Sequence, residues 1–205
     1  MKLKVLMSCM ALVAMTAAAT GVGAQEANPS QYAERVCAAC HGHRGDSISP
    51  AFPRLAGQQE EYLKVQLRAF RDRTRGDPMA QAYMWGMSAQ LNREMINGLA
   101  RYYAVQKPVA GKPGDPTLMQ KGQAIFERGL PAANVQPCAT CHGKNAQGDA
   151  GTPRIAGQHA EYLVKQLVLF KSQLRAEAPA VLMHAVSGSM SFDQIEAVAA
   201  YLASM

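Results

Sequence analysis

The chain has 205 residues, 48% of them hydrophobic and 18% charged, which excludes a disordered or low-complexity polymer and predicts a folded protein. That length allows one ordinary domain or two small ones. A formal charge of +6 is mild, without the dense basic stripe of a nucleic-acid-binding surface.

At the start, Lys2 and Lys4 precede an apolar run from Val5 to Ala19, followed by Val22, Gly23 and Ala24. A basic start, a short apolar stretch and small residues form the pattern of a secretory signal peptide. Residues 1–24 are therefore expected to be removed on export. A membrane span needs about 20 apolar residues, and Ser8, Cys9 and Thr16 interrupt this shorter run. Without the two lysines the charge falls to +4, and without Cys9 four cysteines remain: Cys37, Cys40, Cys138 and Cys141. Arg68, Arg71, Arg73 and Arg75 cluster and read as a solvated helix end.

The chain is written twice. Cys37-Ala-Ala-Cys40-His41-Gly42, Pro53-Arg-Leu-Ala-Gly57-Gln58, Glu61-Tyr62-Leu63, Gln66-Leu67 and Phe70 form the first copy. The second reads Cys138-Ala-Thr-Cys141-His142-Gly143, Pro153-Arg-Ile-Ala-Gly157-Gln158, Glu161-Tyr162-Leu163, Gln166-Leu167 and Phe170. The offset drifts from 101 to 99 between the first blocks and the closing segments at Ile96 and Ile195. Prolines and glycines from Lys107 to Pro116 oppose regular structure, so modules are expected over 25–107 and 114–205, with a semi-rigid linker at 108–113.

Both modules are predicted to be helical. Leu63, Leu67 and Phe70, and likewise Leu163, Leu167, Phe170 and Leu174, share one helical face. Ile96, Leu99, Ala100 and Tyr103, matched by Ile195, Val198, Ala199 and Leu202, recur at the spacing of a buried stripe. Asn92 is the expected cap of the first closing helix, and Ser191 with Gln194 a capping box for the second. No segment shows strand alternation, so the fold class is all-α.

Two cysteines three apart with histidine next to the second are the attachment signature of c-type haem. One helical turn sets both thiols along a porphyrin edge and points the following imidazole at the iron. Two such motifs in a tandem repeat of an exported chain point to two covalently bound haem c groups, with His41 and His142 as iron ligands. A thioredoxin-like thiol pair needs no histidine there, and a four-cysteine zinc site would require the modules to share one metal. Modules of this size have thin cores, which a covalent apolar macrocycle reinforces.

The sixth ligand separates a carrier from a catalyst, since an open position admits substrate. Reading back from Ile96 and Ile195, Met84 falls on Met183, whereas Met79, Met87 and Met95 meet other residues and Leu91 meets Met190. Met84 and Met183, expected in the loop before the last helix, are the candidate ligands, with Met87 and His184 as rivals. His43 and His159 have no counterparts and read as surface or structural. A carbonyl near Pro53 or Pro153 is a candidate acceptor for the imidazole N–H. Arg54 and Arg154 are either propionate partners or plain surface residues.

These paired haem motifs, the Pro-Arg-(Leu/Ile)-Ala-Gly-Gln blocks and the matched methionines resemble the dihaem cytochrome c4 family over nearly the whole mature chain. The resemblance implies two tandem class I cytochrome c folds, with His41 and Met84 on one iron and His142 and Met183 on the other. It also implies a periplasmic single-electron carrier between respiratory donors and a membrane-bound oxidase, with peripheral membrane association and no catalysis. The alternative is a haem enzyme, or the cytochrome subunit of a dehydrogenase or peroxidase, with one open iron. In this family a glycine and an aromatic let the first and last helices cross. Gly122 and Phe126 match that pair, but the first module offers Ser30 and Glu34, which implies a looser crossing. Acid-acetone extraction of the exported protein should leave all haem colour with the polypeptide, and pyridine haemochrome absorbance should count two haems per chain.

Overall fold

The computed structural model describes residues 28–205, so the expected signal peptide lies outside the described residues. Asn28 accepts from the Ser30 N–H at 3.0 Å and opens α1 (Pro29–Tyr32). The helix runs on through a wider turn, Ala33–Cys37, into α2 (Ala38–His41). Gly42 ends it at φ 76°, a backbone conformation that glycine adopts without steric cost. α3 (Glu60–Arg71), α4 (Trp85–Ser88) and α5 (Arg93–Ala104) complete the first half.

The second half repeats the plan with α6 (Pro116–Arg128), α7 (Ala139–His142), α8 (Ala160–Lys171), α9 (Val181–Gly188) and α10 (Phe192–Ser204). Asn92 accepts from the Met95 N–H at 2.8 Å, and Ser191 and Gln194 form the expected capping box. Among the described residues there is no strand ladder, only two isolated bridges. One core gathers Leu63, Leu91, Ile96, Leu99 and Tyr103, and the other Phe126, Leu163, Met190, Ile195, Val198 and Leu202.

Three details differ from the sequence reading. Leu174 lies beyond α8 and is 56% exposed, because the chain leaves the helix at Gln173 with φ 58°. Met183 sits inside α9 and Met84 in a helical turn, Ala80–Met84, that leads into α4, so both are on helix where a loop was expected. The linker is tied down. Gly111 N–H donates to Met205 O at 2.8 Å, and Pro108 packs where a side chain on Gly57 would stand.

The two helix crossings are built differently. In the second half α6 meets α10 at Gly122, where a Cβ would collide with Ala197 O, and Phe126 packs on Tyr201 with ring centroids 5.6 Å apart. In the first half the glycine has changed helix: Gly98 of α5 leaves room for Pro29 of α1. Glu34 stands in place of the aromatic and accepts from Tyr102, the counterpart of Tyr201. The first crossing is close at Pro29 and polar at Glu34, and it is less extensive than the second.

Glu34 is pulled down to about 2, chiefly by the Tyr102 hydroxyl and next by His43. Its folded pKa lies below the unfolded one, so its stabilisation is full above the ordinary carboxylate range and fades as pH falls toward 2. Glu34→Gln should cost about 1 kcal/mol near neutral pH, the partly exposed site screening the interaction. Denaturant unfolding should find the penalty smaller at about pH 3.

Candidate functional site

Each haem motif lies on a short helix that ends in a buried imidazole. Cys37 and Cys40, and likewise Cys138 and Cys141, are unbridged thiols. His41 and His142 are each only 8% exposed, and burial lowers both pKa values, favouring the neutral ring that binds metals. His41 Nδ1–H donates to Pro53 O at 2.9 Å and His142 Nδ1–H to Pro153 O at 2.9 Å. That bond fixes the tautomer and leaves the Nε2 lone pair available to a metal. Burial raises the Cys37 thiol and pushes Cys138 up to about 11, opposite to the lowered pKa of a redox-active thiol pair. Among the described residues no three His, Cys, Asp or Glu side chains converge as a metal site, so the shared zinc has no geometry here.

On the methionine side, Met84 and Met183 are half-buried, whereas Met87 is 41% exposed. Phe52 links the two sides of the first site, its ring centroid 6.1 Å from His41 and 5.7 Å from Tyr83. Trp85 Nε1–H donates to Arg75 O at 2.8 Å, and His184 Nε2–H, in the equivalent position, to Arg175 O at 2.7 Å. His184 therefore serves as an anchor for the α9 segment. His43 pairs with Glu34 at 2.7 Å, and His159 reaches across the halves to Ser47 O at 2.9 Å.

Sequence reasoning missed the surface between the halves. Arg75, read as part of a solvated helix end, is buried together with Arg175. Arg75 bonds Asp77 at 3.0 Å, Gln66 at 2.6 Å and Gln166 at 3.0 Å. Arg175 bonds Glu177 at 2.7 Å, Gln166 at 2.8 Å, Gln66 at 3.0 Å and the Tyr62 hydroxyl at 3.0 Å. Burial alone would lower the Arg175 pKa, but Tyr62 and Glu177 beside it outweigh that and raise it. Arg54 is likewise spent here: Nε donates to Ser47 O at 3.3 Å and the guanidinium reaches Gly157 O. One signal was available. Gln66, Arg75 and their partners recur in both copies although buried glutamine and arginine are uncommon.

This donor set fits a covalently held haem: two thiols one turn apart, an imidazole with Nε2 left for iron, and a thioether in each half. The cytochrome c family model matches the chain twice, over residues 27–103 and 119–205. Cytochrome c4 of Thiocapsa roseopersicina is 37% identical, over 91% of this chain and 95% of that protein. The chain belongs to the cytochrome c4 family. Reduced cytochrome c4 from Pseudomonas stutzeri superposes with a TM-score of 0.77 at 33% identity, over 86% of this chain and 96% of that one. The thiosulfate dehydrogenase electron acceptor of Thiomonas intermedia is 38% identical, over 82% of this chain and 77% of that protein.

As a cytochrome c4 family member the protein is a dihaem electron-transfer cytochrome rather than an enzyme, with one covalently bound haem c for each of its two cytochrome c modules. Its two tandem modules are all-α, as expected. No described helix is long and apolar enough to cross a membrane. The buried arginines yield a stability prediction. Arg175→Met strands the Glu177 carboxylate and should cost about 3 to 5 kcal/mol. Replacing Glu177 by Leu as well should restore most of it in equilibrium unfolding.

Proposed function

We propose that His41 and Met84 hold one iron and His142 and Met183 the other, with Cys37 and Cys40, and Cys138 and Cys141, as the thioether anchors. The modules in this reading are 25–107 and 114–205, joined by 108–113. When bound, haem c supplies reversible one-electron exchange between ferric and ferrous iron. The chain supplies orientation and exclusion. Pro53 and Pro153 hold the imidazoles, Trp85 and His184 anchor the helices bearing the methionines, and burial keeps water from the two imidazoles. The observation that carries the reading is the duplication: a proline-held buried histidine and a half-buried methionine at matched positions in each half. A soft thioether favours ferrous iron and raises the potential, which suits a carrier.

In this reading the exported protein works in the periplasm, accepting electrons from a dehydrogenase and delivering them to a membrane-bound terminal oxidase. The Thiomonas relative, named as the electron acceptor of thiosulfate dehydrogenase, supports the donor side. Unequal surfaces support two different partners. Residues 28–107 hold eleven basic and seven acidic residues, residues 114–205 seven of each. Arg68, Arg71 and Arg93 line a hollow on the first module, where the second carries Val168, Lys171 and the exposed Phe192.

Met84→Ala and Met183→Ala should each lower one of the two potentials in an optical redox titration and let carbon monoxide bind that reduced iron. An unchanged spectrum in either variant removes that methionine from the ligand set. Carbon monoxide binding by the unaltered reduced protein would favour an enzyme with an open iron.

A further inference from the structure

The contact between the modules ends on the peptides that hold the histidines. The peptide joining Pro53 to Arg54 is engaged at both of its polar atoms. Its carbonyl oxygen accepts from His41 Nδ1–H at 2.9 Å, and its N–H donates to Gln158 Oε1 of the other module at 2.9 Å. Gln158 Nε2 closes the pair on Arg54 O at 3.0 Å. The mirror arrangement runs the other way. His142 Nδ1–H donates to Pro153 O at 2.9 Å, Arg154 N–H donates to Gln58 Oε1 at 2.7 Å, and Gln58 Nε2 donates to Arg154 O at 2.9 Å.

Both glutamines are buried. Each oxygen also accepts the N–H of the next residue, Gln59 at 2.9 Å and His159 at 3.1 Å. A flipped amide would set an NH2 group against two N–H donors, so the orientation is fixed by its partners.

We propose that Gln158 tunes the iron of the N-terminal module and Gln58 that of the C-terminal module, each acting across the interface through the peptide that holds the other module's histidine. An acceptor at a peptide N–H pushes electron density toward its carbonyl oxygen, and linked hydrogen bonds strengthen one another. A more basic Pro53 oxygen draws the His41 ring proton harder, makes the imidazole a stronger donor and favours ferric iron. Gln158 and Gln58 are positioning residues, since neither touches a ligand. The proposal rests on His41 and His142 being the iron ligands.

The test uses the holoprotein and NMR. Haem-methyl signals report each potential through a redox titration, and the ring N–H signals of His41 and His142 are followed in the ferrous state. Gln158→Leu should raise the N-terminal potential, move the His41 Nδ1–H signal upfield and leave the C-terminal haem unchanged, and Gln58→Leu should do the converse. Gln59→Leu removes a different bond across the interface, Gln59 Nε2 to Gln147 O at 2.8 Å, and should move neither potential.

A shift confined to the substituted residue's own module, equal shifts of both haems, or the same response from Gln59→Leu would overturn the tuning. Gln158→Glu, which keeps an acceptor oxygen on the Arg54 N–H, should leave the N-terminal potential unchanged or lower it; a rise overturns the proposal even if the leucine variants fail to fold. An axial histidine shows a ring-current-shifted Nδ1–H in the unaltered protein. Without that signal the ligand assignment fails first, whereas a shifted signal indifferent to Gln158→Leu defeats the tuning alone.

Discussion

A buried imidazole can offer one nitrogen to a metal only when its other nitrogen is already satisfied, and much of each module is arranged to meet that requirement. After the histidine the chain must reverse and come back with a carbonyl at the right height. Gly42 and Gly143 start the reversal at φ 76°. The returning strand of loop is then held by Gly45 O, which accepts from Leu55 and Ala56 at 2.8 and 3.1 Å, and by Ala146 O, which accepts from Ile155 and Ala156 at 2.9 and 3.0 Å. Ala146 does so at φ 50°, a conformation that costs a residue with a Cβ about 1 to 2 kcal/mol. The second module accepts that strain to keep the loop that delivers Pro153.

The same loops build the contact between modules, so orientation of the two buried histidines and docking of the halves are one structural problem. Two guanidinium groups are removed from water between the modules, and each is matched to an acid of its own module and to glutamine oxygens from both. Desolvating such charges is costly and is recovered only when nearly every donor finds an acceptor. The arrangement therefore tolerates little sliding. The main-chain carbonyls of these arginines also receive Trp85 and His184, so the methionine-bearing helices are referenced to this surface as firmly as the histidines are.

What the sequence made legible was what depends on near neighbours. Cys37 to His41 and Cys138 to His142, the caps at Asn92 and Ser191, and the apolar stripes of α5 and α10 all act within one helix. Repetition paired Met84 with Met183, both half-buried at matched positions. Local spacing did not reveal the burial of Arg75, which depends on Gln166, far along the chain, or the role of Glu34, which looked like a missing aromatic until Tyr102 stood opposite it. Leu174 failed differently: its spacing suited a helix that a single positive φ at Gln173 had already ended. His184, a rival ligand by its place beside Met183, is held by a carbonyl that no spacing rule reveals.

The glutamine contacts across the interface come as a pair that exchanges roles: Gln58 with Arg154 and Gln158 with Arg54. Reciprocity of this kind is the mark of a two-fold homodimer. A half-length ancestor bearing one such set would satisfy its buried amides only by meeting a twin, and its assembly would depend on concentration. Fusion through the proline-rich join makes that encounter intramolecular. It also frees the copies to diverge, as the arginines of one face and the valine and phenylalanine of the other record.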